Sequence, residues 1–185
     1  MKINRALKSF TAMALSAILA FGAAGTAAAS TNTDNASAAE FSETEPDRAV
    51  AFPGADGAGK FATGGRGGEI YHVTNLNDSG TGSLRDAVSK GRRIVVFDVG
   101  GTINLKSDLS IRGNISVMGQ TAPGGAGVTV RNGKLAMAGD NIIVRYMTSR
   151  PGEKGSGEYD AWGGSKGSNS IIDHCSIGWA NDEQF

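Results

Sequence analysis

The segment from Ile171 to Glu183 (IIDHCSIGWANDE) concentrates groups that could do chemistry. A β-branched apolar pair runs into Asp173 and His174, and Trp179, Asn181, Asp182 and Glu183 follow within a few residues. Carboxylate and amide oxygens can hold a hard cation or accept from sugar hydroxyls. An imidazole can give or take a proton near neutral pH, and an indole can lie against an apolar face while its N–H stays polar. A strand that ends in such groups reads as the wall of a carbohydrate site. The chain stops two residues later at Phe185, so the unit this wall belongs to is expected to be incomplete. Cys175 is the one cysteine of the chain, so it has no internal disulfide partner. Inside a β pattern it is expected to be a buried, inert thiol.

One strand cannot make a site, and the elements that would position these groups are legible upstream. From Ile94 onward the chain consists of short β-branched runs broken by Gly, Asn, Asp and Ser: 94–97, 109–111, 115–118, 128–130, 135–137, 142–146, 170–172 and 175–177. Comparable runs begin at Ile94, Ile115, Ile142 and Ile171, in steps of 21, 27 and 29 residues. Steps in the twenties with three short strands apiece predict a parallel β-helix, whose coils bury their apolar faces only against neighbouring coils. An antiparallel sandwich would show regular hairpin turns and longer alternating strands. With 28 glycines and 4 prolines, the chain has many sharp turns and few rigid breaks. One short helix is predicted at 83–88, with Ser83 as N-cap, Asp86 completing a capping box and Gly91 as the stop. It stands just before the β region, where it could cover the open end of the stack.

The first residues lie outside this pattern. Lys2, Arg5 and Lys8 precede a short apolar core at 10–22, and Ala27, Ala28 and Ala29 form a small-residue cleavage site. Residues 1–29 therefore read as a secretory signal peptide, cleaved after Ala29, with an apolar run shorter than the roughly 20 residues of a membrane span. Residues 30–48, rich in Ser, Thr, Ala, Asn and acid, read as a flexible leader, and 49–185 as one domain. Formal net charge is zero, which gives no ground for nucleic-acid or membrane-surface binding.

A further series of short motifs runs in order along the domain. It comprises Ala51 to Gly59 (AFPGADGAG), Thr63 to Gly68 (TGGRGG), Val73 to Asp78 (VTNLND) and Gly82 to Ala87 (GSLRDA). Ile94 to Gly101 (IVVFDVGG), Gly119 to Gly124 (GQTAPG), Val144 to Tyr146, Arg150 to Gly152 and Asp173 to Ser176 complete it. In this order the motifs resemble the pectate lyase superfamily, and within it the polysaccharide lyase family 1 group that includes bacterial pectate lyases. The resemblance implies an all-β fold, a right-handed single-stranded parallel β-helix with a short N-terminal capping helix, here incomplete at the C-terminus. It implies Ca²⁺-assisted cleavage of α-1,4-linked polygalacturonate by β-elimination, in a secreted protein that is monomeric when complete. By residue, Asp160 resembles one family Ca²⁺ ligand, Glu158 falls where another acid is common, and Asp182, rather than the adjacent Glu183, falls where a third stands. Asp173 and His174 match a motif of the superfamily, where they are expected to organise hydrogen bonds beside the cleft. Arg150 and His174 are carried as candidate substrate contacts, with Arg150 equally able to brace its turn, and His72 is expected to be structural. The family's catalytic Arg would lie beyond Phe185, so no catalytic residue is assigned within this chain, which is expected to be inactive alone.

Two other readings stand beside the lyase. A β-helix could bind acidic polysaccharide without cleaving it, or could hydrolyse it with paired carboxylates and water. Elimination leaves a conjugated, ultraviolet-absorbing end and needs the cation; hydrolysis and simple binding do neither.

Overall fold

The computed structural model describes residues 48–125, 127–153, 159–164 and 167–185. The expected signal peptide and all of the expected leader but Arg48 lie outside this set, as does Glu158. The first strand, β1 (Glu69–Val73), precedes the helix α1 (Leu84–Val88). Then come β2 (Arg93–Phe97), β3 (Gly101–Asn104), β4 (Leu109–Ile111), β5 (Ile115–Met118), a 3₁₀ turn at Gly119–Thr121, β6 (Val128–Arg131) and β7 (Leu135–Met137). The last are β8 (Ile142–Arg145), β9 (Met147–Arg150), β10 (Trp162–Gly163), β11 (Ile171–Asp173) and β12 (Ser176–Ile177).

Among the described residues every strand pairing is parallel, and the strands sort into three sheets. Sheet 1 runs β1-β2-β5-β8-β11, sheet 2 runs β3-β6-β9-β12 and sheet 3 runs β4-β7-β10. From β2 onward, successive strands belong to successive sheets, so the chain winds as an all-β parallel solenoid of about four turns with almost no helix. The reason lies in the side-chain phase. Tyr71, Val95, Val117, Val144 and Ile172 face one another in register through sheet 1 and form an interior ladder. Ile103 and Val130 form a second inside sheet 2, and Leu109, Leu135 and Trp162 a third inside sheet 3.

The repeat counted from isoleucine to isoleucine is one residue out at two of its three steps. Ile115 does pair with Ile142, but Ile94 pairs with Ser116 and Ile171 with Ile143. Because side chains alternate along a strand, an offset of one moves a residue to the opposite face. Ile94 and Ile171 therefore lie on the outer face of sheet 1, while Ile115 and Ile142 point into the core.

The helix forms where expected but is held differently. Ser83 caps it, its hydroxyl oxygen accepting from the Asp86 amide at 3.2 Å. The carboxylate half of the capping box does not form, because Asp86 instead accepts from the Tyr71 hydroxyl at 2.5 Å. Nor does Gly91 end the helix: Ser89 does, its own hydroxyl donating to the Asp86 carbonyl at 2.7 Å. Leu84, Ala87 and Val88 are buried against β1, β2 and β4, so α1 covers the first coil. The buried Arg93 ties it down, donating to the carbonyls of Asp86 (2.9 Å) and Ala87 (3.2 Å) and to Glu69 (3.0 Å).

Candidate metal centre

Asp160 stands just before β10, on the corner where sheet 2 hands over to sheet 3. Its backbone is fixed from both sides. Ala161, fully buried, accepts at its carbonyl from the Ser149 hydroxyl (2.6 Å), and its amide donates to the Glu183 carbonyl (3.0 Å). The Tyr159 amide donates to the Asn181 side-chain oxygen at 2.8 Å. Residues 181–183 are thereby laid against 159–161 one coil on. This brings carboxylate oxygens of Asp160, Asp182 and Glu183 within 4.8 Å of one another.

Charge at this corner is unevenly compensated. Lys134, on the coil before Asp160, reaches its carboxylate at 3.0 Å. That hydrogen bond holds the Asp160 carboxyl below its ordinary pKa and pushes the Lys134 ammonium above its own. Glu183 is shifted the other way: its hydrogen bond with Asp182, and that residue's negative charge, raise its pKa. Two adjacent carboxylates that resist simultaneous ionisation are relieved by a cation between them. The donor set is entirely oxygen, which suits a hard divalent ion such as Ca²⁺ and not one that prefers thiolate or imidazole. The residues present therefore fit a Ca²⁺ ion. Beside the cluster opens a groove of about 610 Å³ lined by Lys134, Asp160, Trp162, Glu183 and Phe185. Trp162 is buried at its base, and its indole N–H has no hydrogen-bond partner.

Of the residues singled out from the sequence, Asp160 and Asp182 are brought together, with Glu183 joining Asp182. Arg150, on β9, lies on sheet 2 and spends its guanidinium on the coil: it donates to the carbonyls of Ser149 and Ser176, both at 2.8 Å, and to the Ser176 hydroxyl at 2.5 Å. That is the bracing geometry. Asp173 and His174 sit at another corner, between sheets 1 and 2. There Asp173 takes the Arg145 Nε–H at 2.6 Å and lies 2.8 Å from His174 Nδ1. Burial alone would raise the Asp173 pKa, but hydrogen bonds from Arg145 and His174 outweigh it and hold the carboxyl low. His72 is an exposed partner of Asp98 at 2.9 Å. Cys175, expected to be buried, is half-buried: its sulfur accepts from the Met147 amide and donates to the Val144 carbonyl, and desolvation raises its pKa.

Sequence reasoning missed Lys134, the cation of this corner. Its signal is a separation of 26 residues from Asp160, close to one coil, and that spacing means something only once the coil lengths are known.

The architecture defines a class first: this is a parallel β-solenoid of the pectate lyase type. The crystal structure of Jun a 1, the major allergen from cedar pollen, matches it with a TM-score of 0.58 and 25% identity, over 69% of this chain and 43% of the other. Among curated proteins, the chain is 51% identical over 136 residues to "Probable pectate lyase C" of Aspergillus fumigatus, covering 74% of this chain and 32% of that protein. The protein of the same name from Emericella nidulans is 50% identical over the same shares. "Probable pectate lyase 5" of Arabidopsis thaliana is 32% identical over 141 residues, 65% of this chain and 35% of the relative. No protein-family model matches. The chain thus spans about a third of the length of the relatives it matches. These likenesses support its place in the pectate lyase superfamily.

Proposed function

We propose that this β-helix is the Ca²⁺- and polyuronate-binding part of a secreted pectate lyase, which cleaves α-1,4-linked polygalacturonate by β-elimination. The observation that carries the reading is the convergence of the Asp160, Asp182 and Glu183 carboxylates beside an open groove, in a chain half identical to proteins named pectate lyase. These three acids would hold the Ca²⁺, with Glu158 as a further candidate outside the described residues. When bound, the cation withdraws charge from the uronate carboxylate and so eases loss of the C5 proton. Lys134 keeps a positive charge beside the groove, where it attracts the polymer's carboxylates and partly offsets the acid cluster. In the elimination, the C5 proton passes to a base and the C4 oxygen leaves with its bonding pair, giving a C4–C5 double bond. Lys134 is not assigned as that base, because its ion pair with Asp160 favours the protonated ammonium. The chain alone is accordingly expected to bind without turnover. Export through residues 1–29 would bring it to extracellular pectin.

Affinity electrophoresis of the chain through gels containing polygalacturonate tests this. Retardation that needs Ca²⁺ and disappears with EDTA is expected. Retardation indifferent to EDTA, or none at all, would overturn the assignment of the acids. New reducing ends without ultraviolet-absorbing product would replace elimination by hydrolysis. The ultraviolet product itself would establish the lyase and overturn the expected inactivity.

A further inference from the structure

At the corner leading into sheet 1, the left-handed backbone positions are filled by Arg92, Asn114, Asn141 and Asn169, with φ of 60°, 58°, 61° and 50°. Asparagine adopts this conformation readily, and here the side chains also ladder, Asn141 Nδ2 donating to Asn114 Oδ1 at 2.9 Å. At the far end of sheet 1 the same conformation is carried by Tyr146 (φ 55°) and His174 (φ 51°), bulky side chains for which it is a steric cost. Their rings stack, with centroids 4.8 Å apart and planes inclined by 19°.

The column continues downward without a ring. Met118 pairs with Arg145, so the next residue, Gly119, stands beneath Tyr146, and a Cβ there would collide with the Tyr146 carbonyl oxygen. Beside this missing rung opens a second cavity, of about 340 Å³, lined among others by Gly119, Gln120, Tyr146, Thr148 and His174. Coils of a parallel stack lie about 4.8 Å apart, which is also the spacing of the two rings, so a third ring of similar thickness can continue the stack. Arg145 is drawn toward the upper coil by Asp173. Asp173 also lies against His174 Nδ1, which fixes the imidazole on the upper face of Tyr146.

We propose that this cavity is a second carbohydrate site, taking one pyranose residue stacked on Tyr146 with its hydroxyls on Gln120 and Thr148. The chemistry selects a sugar over other flat ligands. An amide and a hydroxyl both donate and accept, as sugar hydroxyls do, and among the described residues neither Lys nor Arg lines the cavity to hold a phosphate. The site lies at the corner between sheets 1 and 2, away from the acid corner between sheets 2 and 3. It needs no cation and stands or falls apart from the lyase reading.

With two histidines in the chain, the imidazole resonances report the site, His174 as the ring stacked on the other face of Tyr146 and His72 as internal control. The probes are methyl α-galactopyranoside and galacturonic acid, each titrated into the whole chain in the presence of EDTA. A saturable shift of His174 at millimolar sugar is expected, with His72 unmoved. Tyr146→Asn keeps a residue suited to positive φ, so it should fold as the parent does while weakening binding about tenfold or more. A response to the neutral sugar assigns the site to neutral residues of a polysaccharide, and a response to the uronate alone assigns it to the polygalacturonate backbone. The absence of a saturable shift with either sugar, or undiminished binding by Tyr146→Asn, would overturn the proposal. So would a shift that appears only when Ca²⁺ replaces EDTA, since it would then report the acid corner.

Discussion

Asp173 and Asp160 are both carboxylates paired with a cation one coil below, yet their surroundings set them to different tasks. Asp173 is mostly buried and bridges Arg145 and His174, while Arg145 packs its guanidinium over the Phe52 ring at 3.8 Å. Removing the charge from Asp173 leaves Arg145 without its partner, and hydrogen bonds to charged groups contribute about 1.5–3 kcal/mol. Asp173→Asn should therefore lower unfolding stability by about that amount at neutral pH, as read by urea titration. The sign of the pH dependence follows from the depressed pKa. The contribution is fully present above the ordinary carboxylate value of about 3.9 and is lost as pH falls through the lower folded value. Parent and variant stabilities should converge in acid; a gap that stays constant below that range would show that the carboxylate charge is not involved. Asp160 is paired with Lys134 on the rim of an open groove, so its charge is available to a ligand. Asp160→Asn should weaken Ca²⁺ binding about tenfold or more by removing one charged ligand, with little change in the unfolding midpoint. Equal Ca²⁺ affinity would remove Asp160 from the site.

Among the elements, the segment at 51–68 does what no single coil can do. Its amides donate across the outside of sheet 1: Thr63 and Gly64 to the Asn141 side chain at 2.7 and 3.0 Å, and Gly65 to the Ser116 hydroxyl at 3.0 Å. Phe52 lies on Arg145, and Gly59 packs so closely on Ser170 that no side chain fits. This strap crosses coils that otherwise touch only their neighbours, and it covers the outward isoleucine Ile143. Gly65→Ala would drive a Cβ into the Arg93 carbonyl and should cost about 1–3 kcal/mol in denaturant unfolding. Ser83→Ala, which deletes the helix cap, should cost about 1 kcal/mol by the same measurement. Element by element, the sequence is legible where a run of β-branched residues meets a turn residue. The strands β4, β5 and β7 lie where their apolar runs place them. It is silent at β9, which reads MTSR, and at β10, which is the two residues Trp162 and Gly163, because neighbouring coils hold these strands and their own composition does not mark them. The same holds for the metal centre. Asp160 and Asp182 are marked by the family pattern, whereas Lys134 and the approach of Glu183 to Asp160 depend on how the coils stack.

Apart from that strap, the solenoid is a one-dimensional stack of coils, and its energetics should be those of nearest neighbours. Leu135 is the middle rung between Leu109 and Trp162 in sheet 3, fully buried. Leu135→Ala should destabilise by about 2–5 kcal/mol and, in amide exchange, loosen β4 and β10 more than β1. Loss of protection spread evenly through all coils would contradict the stacked picture. Trp162 also lies at the base of the groove beside the acids, so the rung that Leu135 supports is the one that sets the site. The central claim is that the Asp160, Asp182 and Glu183 corner binds Ca²⁺ together with polyuronate. The measurement that tests it most directly is a calorimetric titration of Ca²⁺ into the chain with and without trigalacturonate, repeated with Asp182→Asn. The account predicts saturable Ca²⁺ binding that tightens when the oligosaccharide is present and weakens about tenfold or more in the variant. Binding that is absent, or that ignores both the oligosaccharide and the substitution, would contradict it.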